Sequence, residues 1–146
     1  MQTASDFTKA IRIDPKLAEA YFERGWAHCE KGHYDLAIAD HGEAIRLDPD
    51  YTAAYAHRGW AYCGQGDYGR AIADLNVAIL KGPGYSFAYL QRGVAHRLKG
   101  DYDQAIADLN DAIRHSYKQN YPAAQAELEK TLEARRKDSF FGRLFG

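Results

Sequence analysis

Cys29 and Cys63 are the only cysteines in 146 residues, too few to staple a small fold. Stability must therefore come from a packed core, and a reducing, cytoplasmic setting is the expectation. No stretch approaches the ~18 consecutive apolar residues of a membrane-spanning helix. The opening MQTASDFTKA lacks the basic-then-apolar order of a secretory leader. A formal net charge of −1 leaves no basic excess to hold nucleic acid. There is no glycine-rich phosphate loop, no nucleophile elbow, and no carboxylate pair outside positions that recur along the chain, so enzymatic chemistry is not expected. His28, His57 and His96 accompany the cysteines, but neither CxxC nor HxxxH spacing occurs. Neither a metal nor a cofactor is expected.

What is present is periodicity. Shifted by 34 residues, the chain nearly reproduces itself. Tyr21, Tyr55 and Tyr89 align, as do Arg24-Gly25, Arg58-Gly59 and Arg92-Gly93. So do Gly32, Gly66 and Gly100, then Tyr34, Tyr68 and Tyr102, and the run Ala-Ile-Ala-Asp from Ala37, Ala71 and Ala105. A fixed period of this length indicates stacked helical units rather than one irregular core. With 46% hydrophobic residues, the composition is that of an ordinary globular chain.

Residues 1–17 align with the second half of a unit, since Asp6, Phe7, Ala10, Ile11 and Arg12 fall in register with Asp108, Leu109, Ala112, Ile113 and Arg114. A helix patterned to sit between two others would have one bare flank there, and the expectation is a chain cut from a longer array. Full units follow at 18–51, 52–85 and 86–119. Each reads as helix, tight turn, helix. Tyr21, Gly25 and His28 share one face of the first helix, and Ala37, His41, Ala44 and Ile45 one face of the second. Gly25, Gly59 and Gly93 stand in mid-helix, which costs about 1 kcal/mol each against alanine, so close approach of a neighbouring helix is expected. Gly32, Gly66 and Gly100 suit left-handed caps, and Pro49 and Pro83 end the second helices. A capping helix is expected over 120–137, with Ala124, Leu128 and Leu132 inward and Glu127, Glu129, Lys130 and Glu133 outward. Residues 138–146 read as a separate apolar tail.

These registers resemble the tetratricopeptide repeat, whose pattern places an aromatic, Leu-Gly, Tyr, Ala, an aromatic and Pro over one period. The matching residues are Tyr21, Arg24-Gly25, His28, Ala37, His41 and Pro49, then Tyr55, Arg58-Gly59, Tyr62, Ala71, Leu75 and Pro83. The resemblance implies an all-α, right-handed solenoid. Two departures stand out: arginine replaces leucine three times, and His41 fills a large apolar register. Each arginine is accompanied by Asp40, Asp74 or Asp108. A ladder of Arg–Asp pairs, within a unit or to the preceding Asp6, Asp40 and Asp74, would satisfy both charges.

In the family resembled, first helices line a concave groove that binds peptides or helices of partner proteins. The resemblance places Glu19, Phe22, Glu23, Trp26, Cys29 and Glu30 there from the first unit. The second contributes Ala53, Ala56, His57, Trp60, Cys63 and Gly64, and the third Phe87, Leu90, Gln91, Val94, Arg97 and Leu98. Trp26, Trp60 and Val94 share one register; Phe22, Ala56 and Leu90 share another. The expectation is a partly exposed apolar surface, hence a binding surface. Some relatives grip the C-terminal carboxylate of chaperones with lysine, asparagine and arginine. Those registers here hold Phe22, Trp26, His57, Phe87 and Gln91, so an apolar segment or amphipathic helix is the expected ligand. One repeat step separates Cys29 from Cys63 by about 8–10 Å, too far for a disulfide.

The function expected from sequence is thus a non-enzymatic protein-interaction module and scaffold for a protein or peptide with an apolar segment. The alternative is a self-assembling structural protein forming a homo-oligomer through Phe7 and Ile11 at the bare edge and Phe140, Phe141, Leu144 and Phe145 in the tail. With Arg135, Arg136, Lys137 and Arg143, the tail also has the makings of a contact with an anionic membrane surface.

Overall fold

Each turn begins where the chain leaves the helical region. Gly32, Gly66 and Gly100 have φ of 75°, 80° and 88°, left-handed values that cost glycine nothing. The amides of His33, Asp67 and Asp101 then donate back to the carbonyls of His28, Tyr62 and His96 at 2.9, 3.0 and 2.9 Å. The computed structural model describes residues 2–146. Its helices are α1 (Ala4–Ile13), α2 (Ala18–Glu30), α3 (Tyr34–Leu47), α4 (Thr52–Gly64) and α5 (Tyr68–Lys81). They continue with α6 (Ser86–Lys99), α7 (Tyr102–His115), a 3-10 turn (Tyr117–Gln119) and α8 (Pro122–Phe145). No strand occurs among the described residues.

The chain forms two compact units, Met1–Gly82 and Pro83–Gly146. In the first, each helix from α1 to α5 packs on the next, and α2 also touches α4. In the second, α7 packs on α6, and α8 packs on both. Helix starts use local chemistry: Thr3 and Asp6 form a capping box on α1, and Asp67 accepts from the Arg70 amide at 3.1 Å on α5. The tyrosine register ties a first helix to the turn before it. Tyr55 donates its hydroxyl to the Pro49 carbonyl at 3.2 Å, and Tyr89 does so to Pro83 at 2.9 Å.

The mid-helix glycines are explained by distance. A Cβ on Gly25 would lie 2.7 Å from the His41 ring, on Gly59 2.7 Å from Leu75 Cγ, and on Gly93 2.8 Å from Leu109 Cγ. The largest core side chain of each second helix therefore sits against bare backbone of the first. One residue away on both helices lies the ladder, and it runs within each unit rather than to the preceding one. Arg24, Arg58 and Arg92 donate through Nε and Nη2 to both oxygens of Asp40, Asp74 and Asp108, at 2.7 to 2.9 Å. These are bidentate pairs, the stronger kind. Each guanidinium also lies over a tyrosine one turn earlier, Arg24 on Tyr21, Arg58 on Tyr55 and Arg92 on Tyr89, at 5.8 to 5.9 Å from the ring centroid.

The C-terminal region differs from expectation. Residues 138–146 form no separate tail, because α8 runs unbroken to Phe145. Its buried side is also shifted. Ala124 and Thr131 are buried while Leu132 is exposed, and Thr131 hides its hydroxyl by donating to the Glu127 carbonyl at 2.7 Å. Glu127 does not face outward freely. It accepts from Arg97 Nε at 3.1 Å, across the α6–α8 contact.

Removing one member of a ladder pair strands the other carboxylate in a largely buried place. Arg58→Ala should lower unfolding stability by about 3 kcal/mol, measured by denaturant titration, whereas Arg58→Leu with Asp74→Leu should cost less. Equal small losses would show that the ladder does not hold the helices. Gly59→Ala should destabilise by about 1–3 kcal/mol, because Leu75 has no room to move back.

Candidate functional site

In the first unit, α2 and α4 bring six rings together with α3 and the turn before α4. Phe22 lies at the centre. Its ring centroid is 5.0 Å from stacked Tyr51, 4.9 Å from the edge-on His57 ring and 5.5 Å from His41. Trp26 follows one turn later, 6.1 Å from Phe22 and 5.3 Å from His57. Trp60 lies 6.0 Å from His57. Phe22, His41 and His57 are buried, with Phe22 only 6% exposed; Trp60 is half-buried, and Trp26 reaches solvent at 40% exposure. The result is a floor of packed rings carrying one open indole and one partly open.

The floor is kept neutral by desolvation. Burial, with smaller contributions from His57, Arg58 and His28, lowers the His41 pKa to about 3. Burial lowers His57 to about 4, although its Nδ1 lies 2.9 Å from the Ala53 carbonyl, a contact that favours the protonated ring. In the neutral ring Nδ1 carries the hydrogen and donates it. Among the described residues neither ring nitrogen of His41 has a hydrogen-bond partner. Each such buried polar atom costs about 1–3 kcal/mol. His41 is thus a weak element of the core.

The groove set deduced from sequence divides into two kinds. Phe22, Ala56 and Leu90 were expected on the open face, and the structure buries all three. The reason is that the first helices pack on more than their own partners: Phe22 lies among Tyr51, Ala54 and Ala44 from α4, its leading turn and α3. Cys29, His57 and Cys63 are buried too. Burial pushes both thiols up to about 12, so neither is a poised nucleophile. Trp26, Glu19 and Glu30 are exposed, and Glu23 and Trp60 are half-buried. Burial, with Glu19 nearby, raises the Glu23 pKa above its ordinary value.

In the second unit Phe87, Gln91, Val94 and Arg97 are half-buried and Leu98 is exposed. Arg97 is engaged by Glu127, with Nη2 at 3.0 Å, and so is held by α8. Of the edge and tail residues, Phe7 and Ile11 are half-buried on α1, while Phe140, Phe141, Leu144 and Phe145 are exposed on α8. Sequence reading missed Tyr51. Its signal was available, for Leu17, Tyr51 and Tyr85 stand one period apart and each directly precedes a first helix. Among the described residues no group of three or more His, Cys, Asp or Glu is placed to hold a metal ion, and no helix is long and apolar enough to cross a membrane.

Models described as tetratricopeptide repeats match residues 7–39 and 57–120, and one described as TPR repeat matches 25–66. Together they span most of the chain. Among solved structures, the Sgt2 TPR domain from Aspergillus fumigatus is similar at 25% identity and a TM-score of 0.77, covering 86% of this chain and 82% of that one. The first TPR of Spaghetti (RPAP3), bound to the HSP90 peptide SRMEEVD, is similar at 26% identity and a TM-score of 0.74, with 82% and 93% covered. The second TPR domain of human RPAP3, in complex with the HSP70 peptide SGPTIEEVD, is similar at 28% identity and a TM-score of 0.70, with 78% and 93% covered. No curated protein matches the chain.

The buried histidines make stability depend on acidity. Unfolded, they take up protons near pH 6.5; folded, they stay neutral to about pH 4 and 3. The unfolded chain binds more protons in that window, so their contribution is complete above about pH 7 and lost as pH falls through 6.5, by up to about 1.4 kcal/mol per histidine per pH unit. His41→Leu, which copies Leu75 and Leu109, should raise the melting temperature at pH 7. It should also roughly halve the loss between pH 6.5 and 5, read from thermal melts across that range.

Proposed function

This chain belongs to the tetratricopeptide repeat family, and from that premise we propose that it is a non-enzymatic module that binds an apolar segment or amphipathic helix of a partner protein. The observation that carries the reading is the pair Trp26 and Trp60, one open and one partly open, each in ring contact with the buried His57, at 5.3 and 6.0 Å. Tryptophan held in place by packed neighbours loses little entropy on binding and is the commonest hot-spot residue. The buried floor of Phe22, His41 and His57 supports that role by fixing the indoles.

Peptide binding by the two RPAP3 domains supports a peptide as the ligand class. Their peptides end in EEVD, and acidic termini suit a cationic clamp. Here the corresponding positions hold Phe22, Trp26, His57, Phe87 and Gln91, and the exposed polar residues of α2 are Glu19 and Glu30. Arg24 and Arg58, the cations of α2 and α4, are committed to Asp40 and Asp74. Such a face disfavours an acidic tail and suits apolar side chains accompanied by positive charge.

A random peptide library displayed against the immobilised chain should yield sequences rich in apolar residues and poor in Asp and Glu. Calorimetry on the selected peptides should show Trp60→Ala weakening binding about 30-fold, which is about 2 kcal/mol. SRMEEVD and SGPTIEEVD should bind far more weakly than the selected peptides. A folded variant carrying Trp26→Ala and Trp60→Ala that binds the selected peptides unchanged would refute this face as the site.

A further inference from the structure

The far end of α8 is an unpartnered helix face. Past Thr131 no residue of the helix is buried, and Phe140, Phe141, Leu144 and Phe145 are exposed, Phe145 at 79%. Phe140 and Phe141 lie 5.9 Å apart, and Phe141 stacks on Phe145 at 6.0 Å. Spacings of three and four residues place Phe141, Leu144 and Phe145 on one side. The other side of this stretch carries Leu132, Phe140, Arg136 and Arg143, which line one shallow pocket together with Arg135 and Ser139. Arg135 is paired with Asp103 and Lys137 with Glu133, while Arg136 and Arg143 have no ion-pair partner among the described residues.

A second unpartnered feature has the opposite charge. A cleft of about 320 Å³ lies between α1 and α2, its apolar part made by Phe7, Ala10 and Leu17 and its rim by Asp6, Glu19 and Glu23. No residue of α1 is fully buried, so this face of the helix is open. Glu19 and Glu23 have no ion-pair partner among the described residues, and a cation between them would offset the repulsion by Glu19 that, after burial, raises the Glu23 pKa.

We propose that the α1–α2 cleft receives the C-terminal end of α8 from a second copy of this chain. Leu132 and Phe140 of one copy cover Phe7, Ala10 and Leu17 of the other, and Arg136 and Arg143 on the same side meet Glu19 and Glu23. Charge complementarity selects this occupant, because this side of α8 joins exposed Leu132 and Phe140 to two arginines without an ion-pair partner among the described residues. The contact is heterologous, joining unlike surfaces, so each association leaves a free cleft and a free helix end and does not stop at a dimer unless the chains close into a ring. The cleft shares Glu19 with the face that carries Trp26 and Trp60, but its apolar lining of Phe7, Ala10 and Leu17 is distinct, and the proposal does not rest on peptide binding there.

Sedimentation equilibrium of the full chain at low ionic strength is the direct test. The weight-average mass should rise with concentration and fall toward that of one chain in about 0.5 M salt. A chain ending at Asp138 should remain monomeric. So should Glu19→Arg with Glu23→Arg, and Arg136→Glu with Arg143→Glu, each checked for native helicity by circular dichroism. Mixing the two charge-reversed proteins should restore association, because each then offers the surface the other lacks. A labelled peptide of residues 132–146 should bind the truncated chain saturably, lose at least tenfold in affinity with Glu19→Arg and Glu23→Arg, and be unaffected by Trp26→Ala and Trp60→Ala. The proposal is overturned by a wild-type mass independent of concentration, by unchanged association after truncation or charge reversal, or by no recovery on mixing. A chain that stays monomeric yet pellets with phosphatidylserine vesicles overturns it equally, since the helix end would then be a membrane contact.

Discussion

Everything in each helix pair depends on one close approach. A first-helix glycine lets His41, Leu75 or Leu109 rest directly on its backbone, and sixteen residues separate the members of each contact. The same separation joins each arginine to its aspartate, because Arg precedes Gly on one helix and Asp precedes the large residue on the other. The dipeptide Arg-Gly thus docks on Asp-His or Asp-Leu as a unit. Its apolar half supplies burial, which is non-directional. Its charged half supplies two hydrogen bonds of fixed geometry, which set how the helices slide and rotate against each other. Neither half works with a helix held farther away.

Much of this was legible in the sequence because repetition amplifies weak signals. A glycine in mid-helix or a left-handed cap is ambiguous once; in three registers it becomes a constraint. The direction of the ladder was not legible, since Asp40 lies in the right register for either Arg24 or Arg58, and only the packing of α2 on α3 and α4 on α5 decides. The candidate face was half-legible. Trp26 is exposed and Trp60 half-buried, in a register next to the glycine, about 100° around the helix. Phe22, Ala56 and Leu90 are buried, because a first helix in an array contacts more than its own partner, and a heptad-like reading of one helix counts a single neighbour. The end of α8 was misread for a different reason. Gly142 and the phenylalanines have modest helix propensity, but nothing after Lys137 imposes a stop, and a helix already nucleated extends at little cost.

Recurring positions are mostly structural: Tyr, Arg-Gly, Ala and Asp recur and are consumed by packing or pairing. Among the positions that vary, Phe22, Ala56 and Leu90 are buried, whereas Trp26 and Glu19 on α2 and the rings and arginines at the end of α8 lie at the surface. The cationic groups that repeat are unavailable to a ligand because their carboxylates occupy them. A net charge near zero therefore combines a net-acidic α2 with a net-basic end of α8.

The single histidine in a leucine register has a dynamic consequence. In an array whose stability is summed from local pairs, opening starts where a pair is weakest. The α2–α3 pair holds an imidazole with both nitrogens unanswered among the described residues where its counterparts hold leucine. Transient separation of α2 from α3 is therefore less costly than the equivalent opening of α4 from α5. It would release Phe22 and Trp26 from their supports together, so the proposed binding face is carried by a helix pair that opens more readily than its leucine-bearing counterpart.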